Sequence, residues 1–509
     1  MPSLTLARPV PATRRRLAAV VTAAAFAASL IPAGVASAKS DQSGFLTSAP
    51  PMLTPLVRNV HVKPIITVGD RVGSYRFEAI PDGIAIDPRG GDRLDIYVNH
   101  ETSTVPFPLP PGGLSDFDNA QLSHLVLKAG SAKVLSGSLV IDSSSNLQRF
   151  CSNFFAGAAQ GFNRDLVLTN EETSDLVNRT GTAWPPGPGA EQAGVVVAYD
   201  PATGQHRSIY GMGRMNHENA VAIPGFGKAV VVTGDDTFAA PASQLYMYLA
   251  NNADDVWNDQ GHLWAFKSDN AAVNDYGDLS GSQSVGGRFI EVPDAIADGD
   301  QTGLENWSND NNVFQFIRIE DLAYDRNHTN VVYFADTGEP RAIANPDTGR
   351  LRRGPSGTTG PYPNGRVFKV VLDPSNPTIV TSLSILIDGD TAGYGSVGTL
   401  HQPDNLETTA HSILVTEDPG GHNRFAGATN ARLWKYNLST GAFAPVAVVS
   451  AATADWESSG VVDASQYFGD GAFLIDVQAH TIFVDQQTTG GITYKREGGQ
   501  LLLIRIPGA

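Results

Sequence analysis

Six times along this 509-residue chain an apolar strand pattern ends in an acidic residue, and 13 to 20 positions earlier a residue able to bind a metal opens another strand. Asp82 opens the first copy, which closes at Asn99-His100-Glu101, and Cys151 opens the second, which closes at Asn170-Glu171-Glu172. Glu218 opens the third, closing at Gly234-Asp235-Asp236, and Glu320 the fourth, closing at Asp336. Asp404 leads to Glu417-Asp418 in the fifth and Glu457 to Asp476 in the sixth. That separation holds two strands of about five residues and the reversal between them. The start of a hairpin's first strand and the end of its second lie at the same end. Each copy therefore delivers two such side chains to one edge, and six copies deliver them to one face.

The strands are short, β-branched and aromatic, and helical periodicity is scarce, which predicts an all-β fold. Six hairpins with their ends on one face predict a six-bladed β-propeller of four-stranded blades around a central channel. Segments such as 245–248, 263–266, 366–371 and 432–436 supply the outer strands, and residues 59–68 close the ring against 501–506. Seven blades, or a sandwich followed by a smaller barrel, are the alternatives. The closing acids lie 59 to 101 residues apart, more than the roughly 40 to 50 of common propeller repeats, so the expectation includes long loop insertions. Pro/Gly-rich tracts at 104–113, 184–194 and 345–365 read as surface loops with too little apolar content for strands.

Residues 1–38 read as a signal peptide. Arg14, Arg15 and Arg16 precede an apolar run over 17–30, and Ala36-Ser37-Ala38 fits a cleavage site. The arginines also fit a twin-arginine signal. The remainder, 39–509, reads as one propeller domain, secreted or periplasmic, with no membrane span and expected as a monomer. Loss of four arginines takes the net charge from −17 to −21, which disfavours nucleic acid as a partner. With one cysteine, an exported chain cannot form an internal disulfide and must rely on its core.

So many carboxylates on one face raise one another's pKa values unless cations lie among them. Hard oxygen donors suit calcium. Cys151, in the place of an opening carboxylate, is a soft donor that suits a transition metal, so a mixed centre is expected. His100 and His217, each before a glutamate, are candidate ligands, acid–base groups or orienting residues. Arg318, two residues before Glu320 and on the same side of an extended segment, is a candidate clamp for an anionic group.

In order along the chain, these segments resemble the PhoX-type alkaline phosphatases: Asn99-His100-Glu101; Cys151 with Thr169-Asn170-Glu171-Glu172; Gly213-Arg214 with His217-Glu218 and Thr233-Gly234-Asp235-Asp236; Arg318-Ile319-Glu320; Pro403-Asp404-Asn405-Leu406 with Glu417-Asp418; and Asp476-Val477-Gln478. The resemblance implies an exported six-bladed propeller that hydrolyses phosphate monoesters, small-molecule substrates, at a centre of iron and calcium. It implies Cys151, Glu218 and Glu320 as ligands of the mixed centre, Glu171 and Glu417 as further acidic ligands, and Asn99 and Arg318 as contacts to substrate phosphate. Asp235, Asp404 and Glu457 complete the candidate metal set from the repeat pattern. The chain departs from the family at Phe162-Asn163-Arg164-Asp165, at Asn170 and at Gly234, where a calcium could be lost or the substrate range altered. A calcium-dependent lactonase or esterase, and a non-catalytic calcium-binding scaffold, are the competing functions.

Overall fold

The computed structural model describes residues 44–88, 90–104, 112–179, 190–237, 243–418, 429–452 and 455–509. The expected signal peptide, and most of the first two loop tracts, lie outside these residues. Within them the fold is all-β: the α-helices, Ala253–Trp257, Asp294–Ala297, Gln301–Asp310 and Ser465–Phe468, are short. None is long and apolar enough to cross a membrane.

Each of the six hairpins begins an antiparallel array. The first runs Pro81–Asp87, Arg93–His100, Gln121–Lys128, Lys133–Ile141, and the second Phe150–Ala156, Leu166–Glu171, Val196–Asp200, Gln205–Ile209. The third is His217–Ala222, Ala229–Asp235, Leu245–Ala250, His262–Ser268, and the fourth Ile319–Tyr324, Val331–Asp336, Arg366–Asp373, Asn376–Asp388. The fifth comprises Pro403–Thr408, Ser412–Glu417, Arg432–Asn437 and Phe443–Val449, with Leu53–Pro55 on its outer edge. The sixth comprises Glu457–Asp463, Ala472–Thr489, Ile492–Arg505 and His61–Thr67. The six opening strands pack in order against one another, and the last packs against the first. They form a closed ring.

The second strands are apolar without alternation because both of their faces are covered. Val230 and Val232 pack with Phe316, Phe334 and Phe368 toward the fourth array, while Val231, on the opposite face, packs with Leu166, Leu168 and Val196 of the second. The ring closes where expected, with Val62 opposite Ile504 and Ile66 opposite Leu501. Glycine permits the close approach of neighbouring opening strands around the ring. A Cβ at Gly460 would lie 2.2 Å from the Asp82 carbonyl oxygen, and one at Gly83 would lie 2.4 Å from the Asn153 nitrogen.

Two features depart from the sequence reading. Ser284–Glu291 pairs with both His262–Ser268 and Asn376–Asp388, which joins the third and fourth arrays into one nine-stranded sheet. Parts of the supposed loops are strands: Ala190–Gln192 pairs with Leu176–Asn178, and Leu351–Arg353 with Ala342–Ala344. Backbone pairing does not need an apolar run, and the second hairpin is anchored by a 2.9 Å ion pair from Arg353 to the buried Glu339.

Candidate metal centre

The register of the hairpins explains how the opening residues reach one place. In five of the six, pairing between the two strands shifts across the opening residue, between Pro81 and Ile84, Phe150 and Asn153, His217 and Ala220, Ile319 and Leu322, and Pro403 and Leu406. A bulge of this kind bends the strand and re-aims a side chain. Asp82, Cys151, Glu218, Glu320 and Asp404 all fall inside one. With Glu457 they line a cavity of about 520 Å³.

A second repeated contact sets the closing residue. The carbonyl two residues before five of the six opening residues accepts a backbone hydrogen bond: Ile80 from Glu101, Arg149 from Glu172, Asn216 from Asp236, Arg318 from Thr337, and Gln402 from Asp418, all at 2.9–3.0 Å. The residue so placed is the one just beyond the strand end. Glu101, Glu172 and Asp418 line the cavity from these positions, together with Arg149, Arg318, Asp455, His480 and Thr481.

The acids are held from below by short polar side chains. Ser459 donates to Asp82 at 2.5 Å, with Asn405 Oδ1 3.1 Å from the same hydroxyl; Asn405 donates to Ser152 Oγ at 2.7 Å, and Ser152 donates to Glu218 Oε1 at 2.7 Å. Cys151 Sγ lies 3.1 Å from Asp82 Oδ2. Three overlapping groups have donor atoms within 4.8 Å of one another: Asp82, Glu101 and Cys151; Cys151, Glu172 and Glu218; and Glu218, Glu320 and Asp404. Cys151 links the first two, and Glu218 links the last two.

Burial, reinforced by neighbouring carboxylates, pushes Asp82 up to about 7 and Glu172, Glu218, Glu320 and Asp404 well above the carboxylate range. It pushes the Cys151 thiol up as well. A cation among these groups reverses that cost, and the donor set fits one: Glu218 Oε2 is buried with no hydrogen-bond partner, between a thiol and further carboxylates. Arg318, with its side chain 7 % exposed, is a buried counter-charge in the cavity, 2.5 Å from Asp236 and 3.1 Å from Glu320.

Of the residues singled out in the sequence, Cys151, Glu218, Glu320, Asp404, Glu457 and Arg318 come together here. Glu171, Glu417, Asp235 and Asn99 are placed elsewhere. Glu171 is gripped by Arg179 at 2.7 and 2.8 Å and by the backbone nitrogens of Gln148, Gly194 and Val195. Glu417 accepts from Arg432, the His401 nitrogen and Trp434 Nε1. Asp235 caps the Thr237 nitrogen at 2.9 Å, and burial pushes it up to about 8. Successive strand residues face opposite ways, so the last residue of each strand points into the array when the next reaches the cavity.

Asn99 lies beneath Cys151, donating to the carbonyls of Cys151 and Ser152 at 2.5 and 3.1 Å and accepting from Asn153 and Thr169. His100 and His217 are also away from the acids. Each donates to a backbone carbonyl and accepts from a hydroxyl, Ala79 and Ser123 for His100, Gly213 and Thr233 for His217. Burial lowers both to about 4, so they are neutral. His480, unremarked in the sequence, takes the cavity position, 2.6 Å from Glu497 and 3.8 Å from Glu457. Gly234 has a packing origin: a Cβ there would lie 2.5 Å from Ile319 Cγ2.

No protein-family model matches the chain, and no curated protein sequence does. Among solved structures, the fold is similar to that of PhoX from Pseudomonas fluorescens in complex with vanadate, a transition-state analogue. The TM-score is 0.61 at 14 % identity, over 91 % of this chain and 98 % of that one. A nidogen/laminin complex, at TM-score 0.31 and 9 % identity over 76 % of this chain and 96 % of that one, is a more remote match. So is the K499G mutant of NanB sialidase from Streptococcus pneumoniae, at 0.41 and 7 % over 86 % and 71 %. The chain thus shares the PhoX fold.

Proposed function

We propose that this chain is an exported, metal-dependent phosphatase that hydrolyses phosphate monoesters, built as a six-bladed propeller around its metal centre. The observation that carries the reading is the overlap of three donor groups through Cys151 and Glu218 in one cavity with Arg318, on a fold similar to one seen with a phosphoryl-transfer analogue. The thiol of Cys151 suits iron, with Asp82, Glu101, Glu172 and Glu218 as its nearest carboxylates. The run through Glu218, Glu320 and Asp404 suits calcium.

When bound, such ions supply Lewis acidity toward the phosphoryl oxygens and the attacking water. The protein supplies the rest. Arg318, braced by Asp236 and Glu320, binds the anionic phosphoryl group and stabilises the charge that builds on it. Ser152, Ser459 and Asn405 fix the acids from below, so little reorganisation accompanies reaction. Asn99 acts as a positioning residue by holding the backbone of Cys151.

Aryl phosphates and nucleotides, assayed with metal-loaded protein with and without chelator, test the reading. Chelator-sensitive hydrolysis supports it, and its absence sinks it. Cys151→Ser is expected to lose iron and phosphatase activity together; hydrolysis of lactones or carboxylic esters by this variant with calcium alone, and none of phosphates by wild type, would instead indicate the chemistry of a calcium-only site.

A further inference from the structure

The position two residues before each opening residue is occupied by Ile80, Arg149, Asn216, Arg318, Gln402 and Asp455. Two of the six are arginines, both line the cavity, and Arg149 has no part in the reading above. Its backbone lies in the left-handed region, at φ 43°, as do Ile80 and Gln402 at the equivalent places. Side chains other than glycine adopt that conformation at a cost, and surrounding contacts must hold them there. Here the Arg149 nitrogen donates to the Thr102 carbonyl at 3.1 Å, and its carbonyl accepts from Glu172 at 3.0 Å. Thr102 follows Glu101, so the bonds that fix two cavity acids also fix the direction in which Arg149 leaves the chain.

Its ion pair is longer than those of four other arginines beside acids. Arg164, Arg179, Arg326 and Arg432 meet carboxylates at 2.5, 2.7, 2.7 and 2.9 Å. Arg149 makes a 3.4 Å contact to Glu101, and its side chain is 46 % exposed, against 7 % for Arg318. Two cations from one repeat position therefore stand at different depths, one inside and one toward solvent. A guanidinium that is loosely held by its own protein keeps most of its donors for a ligand.

We infer that Arg149 recognises a second anionic group of the substrate, outside the phosphoryl group held by Arg318, and that the substrate class is phosphate compounds with two adjacent anionic groups, such as phosphoanhydrides. The orientation, with the transferred group inward, rests on the phosphatase reading. Calorimetric binding of pyrophosphate and orthophosphate to the metal-loaded protein tests the inference directly. Wild type is expected to bind pyrophosphate more tightly. In Arg149→Met the pyrophosphate affinity falls ~10–100-fold, the scale of one charge-assisted contact, while the orthophosphate affinity falls less than ~3-fold.

Equal losses on both ligands, no loss on either, or a wild type that binds the two alike would overturn it. Circular dichroism checks the fold. If Arg149→Met does not fold, Arg149→Lys, which keeps the charge without the fork, decides: selective weakening of pyrophosphate supports the inference, and unchanged binding overturns it. Pyrophosphate selectivity without chelator-sensitive hydrolysis would sink the phosphatase reading and leave Arg149 as an anion site. Hydrolysis without selectivity would do the reverse.

Discussion

Glu171 and Glu172 are neighbours of the same chemistry with opposite surroundings. Glu171 is enclosed by an arginine and three backbone donors, whereas Glu172 faces the cavity beside Cys151 and Glu218. Glu417 and Asp418 repeat the contrast, with Arg432 and Trp434 around the first and Glu457 beside the second. Glu171 and Glu417, inside their arrays, find their partners within the protein and serve stability. Glu172, one residue later, is raised by burial and by its neighbours' charge, a cost that a bound cation would offset. Strand alternation, not composition, separates the two sets.

The contrast is most easily broken at the enclosed acids. Arg432→Met leaves Glu417 buried without its cation and is expected to cost about 3–5 kcal/mol in urea unfolding, whereas Asp418→Asn, measured in chelator, changes stability by less than about 1 kcal/mol. Equal effects would erase the distinction. Next in size is the response to calcium. Wild type should gain about 2.7 kcal/mol at a hundredfold excess over the dissociation constant, and Glu218→Gln should lose most of that gain; a wild type indifferent to calcium contradicts the cavity assignment.

Metal content divides the neighbours more finely. By elemental analysis Glu172→Gln should lose bound metal at little cost in chelator-state stability, while Glu171→Gln should keep its metal and unfold at about 1–3 kcal/mol lower free energy; reversed results would exchange their roles. The smallest effect is at Asp200, where Arg164 and the backbone nitrogens of Ala202 and Thr203 outweigh burial and hold the carboxyl below its usual range. Its folded pKa is depressed, so its contribution is present above the unfolded value near 3.8 and lost as pH falls through the folded one. Asp200→Asn should therefore cost about 1 kcal/mol at pH 7 and converge with wild type in acid; a pH-independent difference would deny the linkage.

The opening residues were legible because the repeat marks them directly. Asp82, Cys151, Glu218, Glu320, Asp404 and Glu457 all line the cavity, and the bulges that aim five of them need no sequence signal beyond the position itself. The closing residues expected as ligands, Glu171 and Glu417, each stand one place before the acid that lines the cavity, Glu172 and Asp418. Counting alternation from the apolar core positions does not separate the members of each pair, since Leu168 and Val167 pack into core clusters on opposite faces of the same strand. His480 and Arg149 carried no motif. Both depend on which strand or turn of one copy faces which acid of another.

The sequence alone determined the hairpins, their number, the end of each that bears the opening residue, and the closure of the chain's ends, because these follow from local periodicity repeated six times. Only the tertiary structure decided which acids are neutralised by an arginine of the protein and which line the cavity, and that Arg149 and His480 join the same cavity. Those outcomes depend on burial and on charges that lie far apart in sequence, and electrostatic cost is set by neighbours in space.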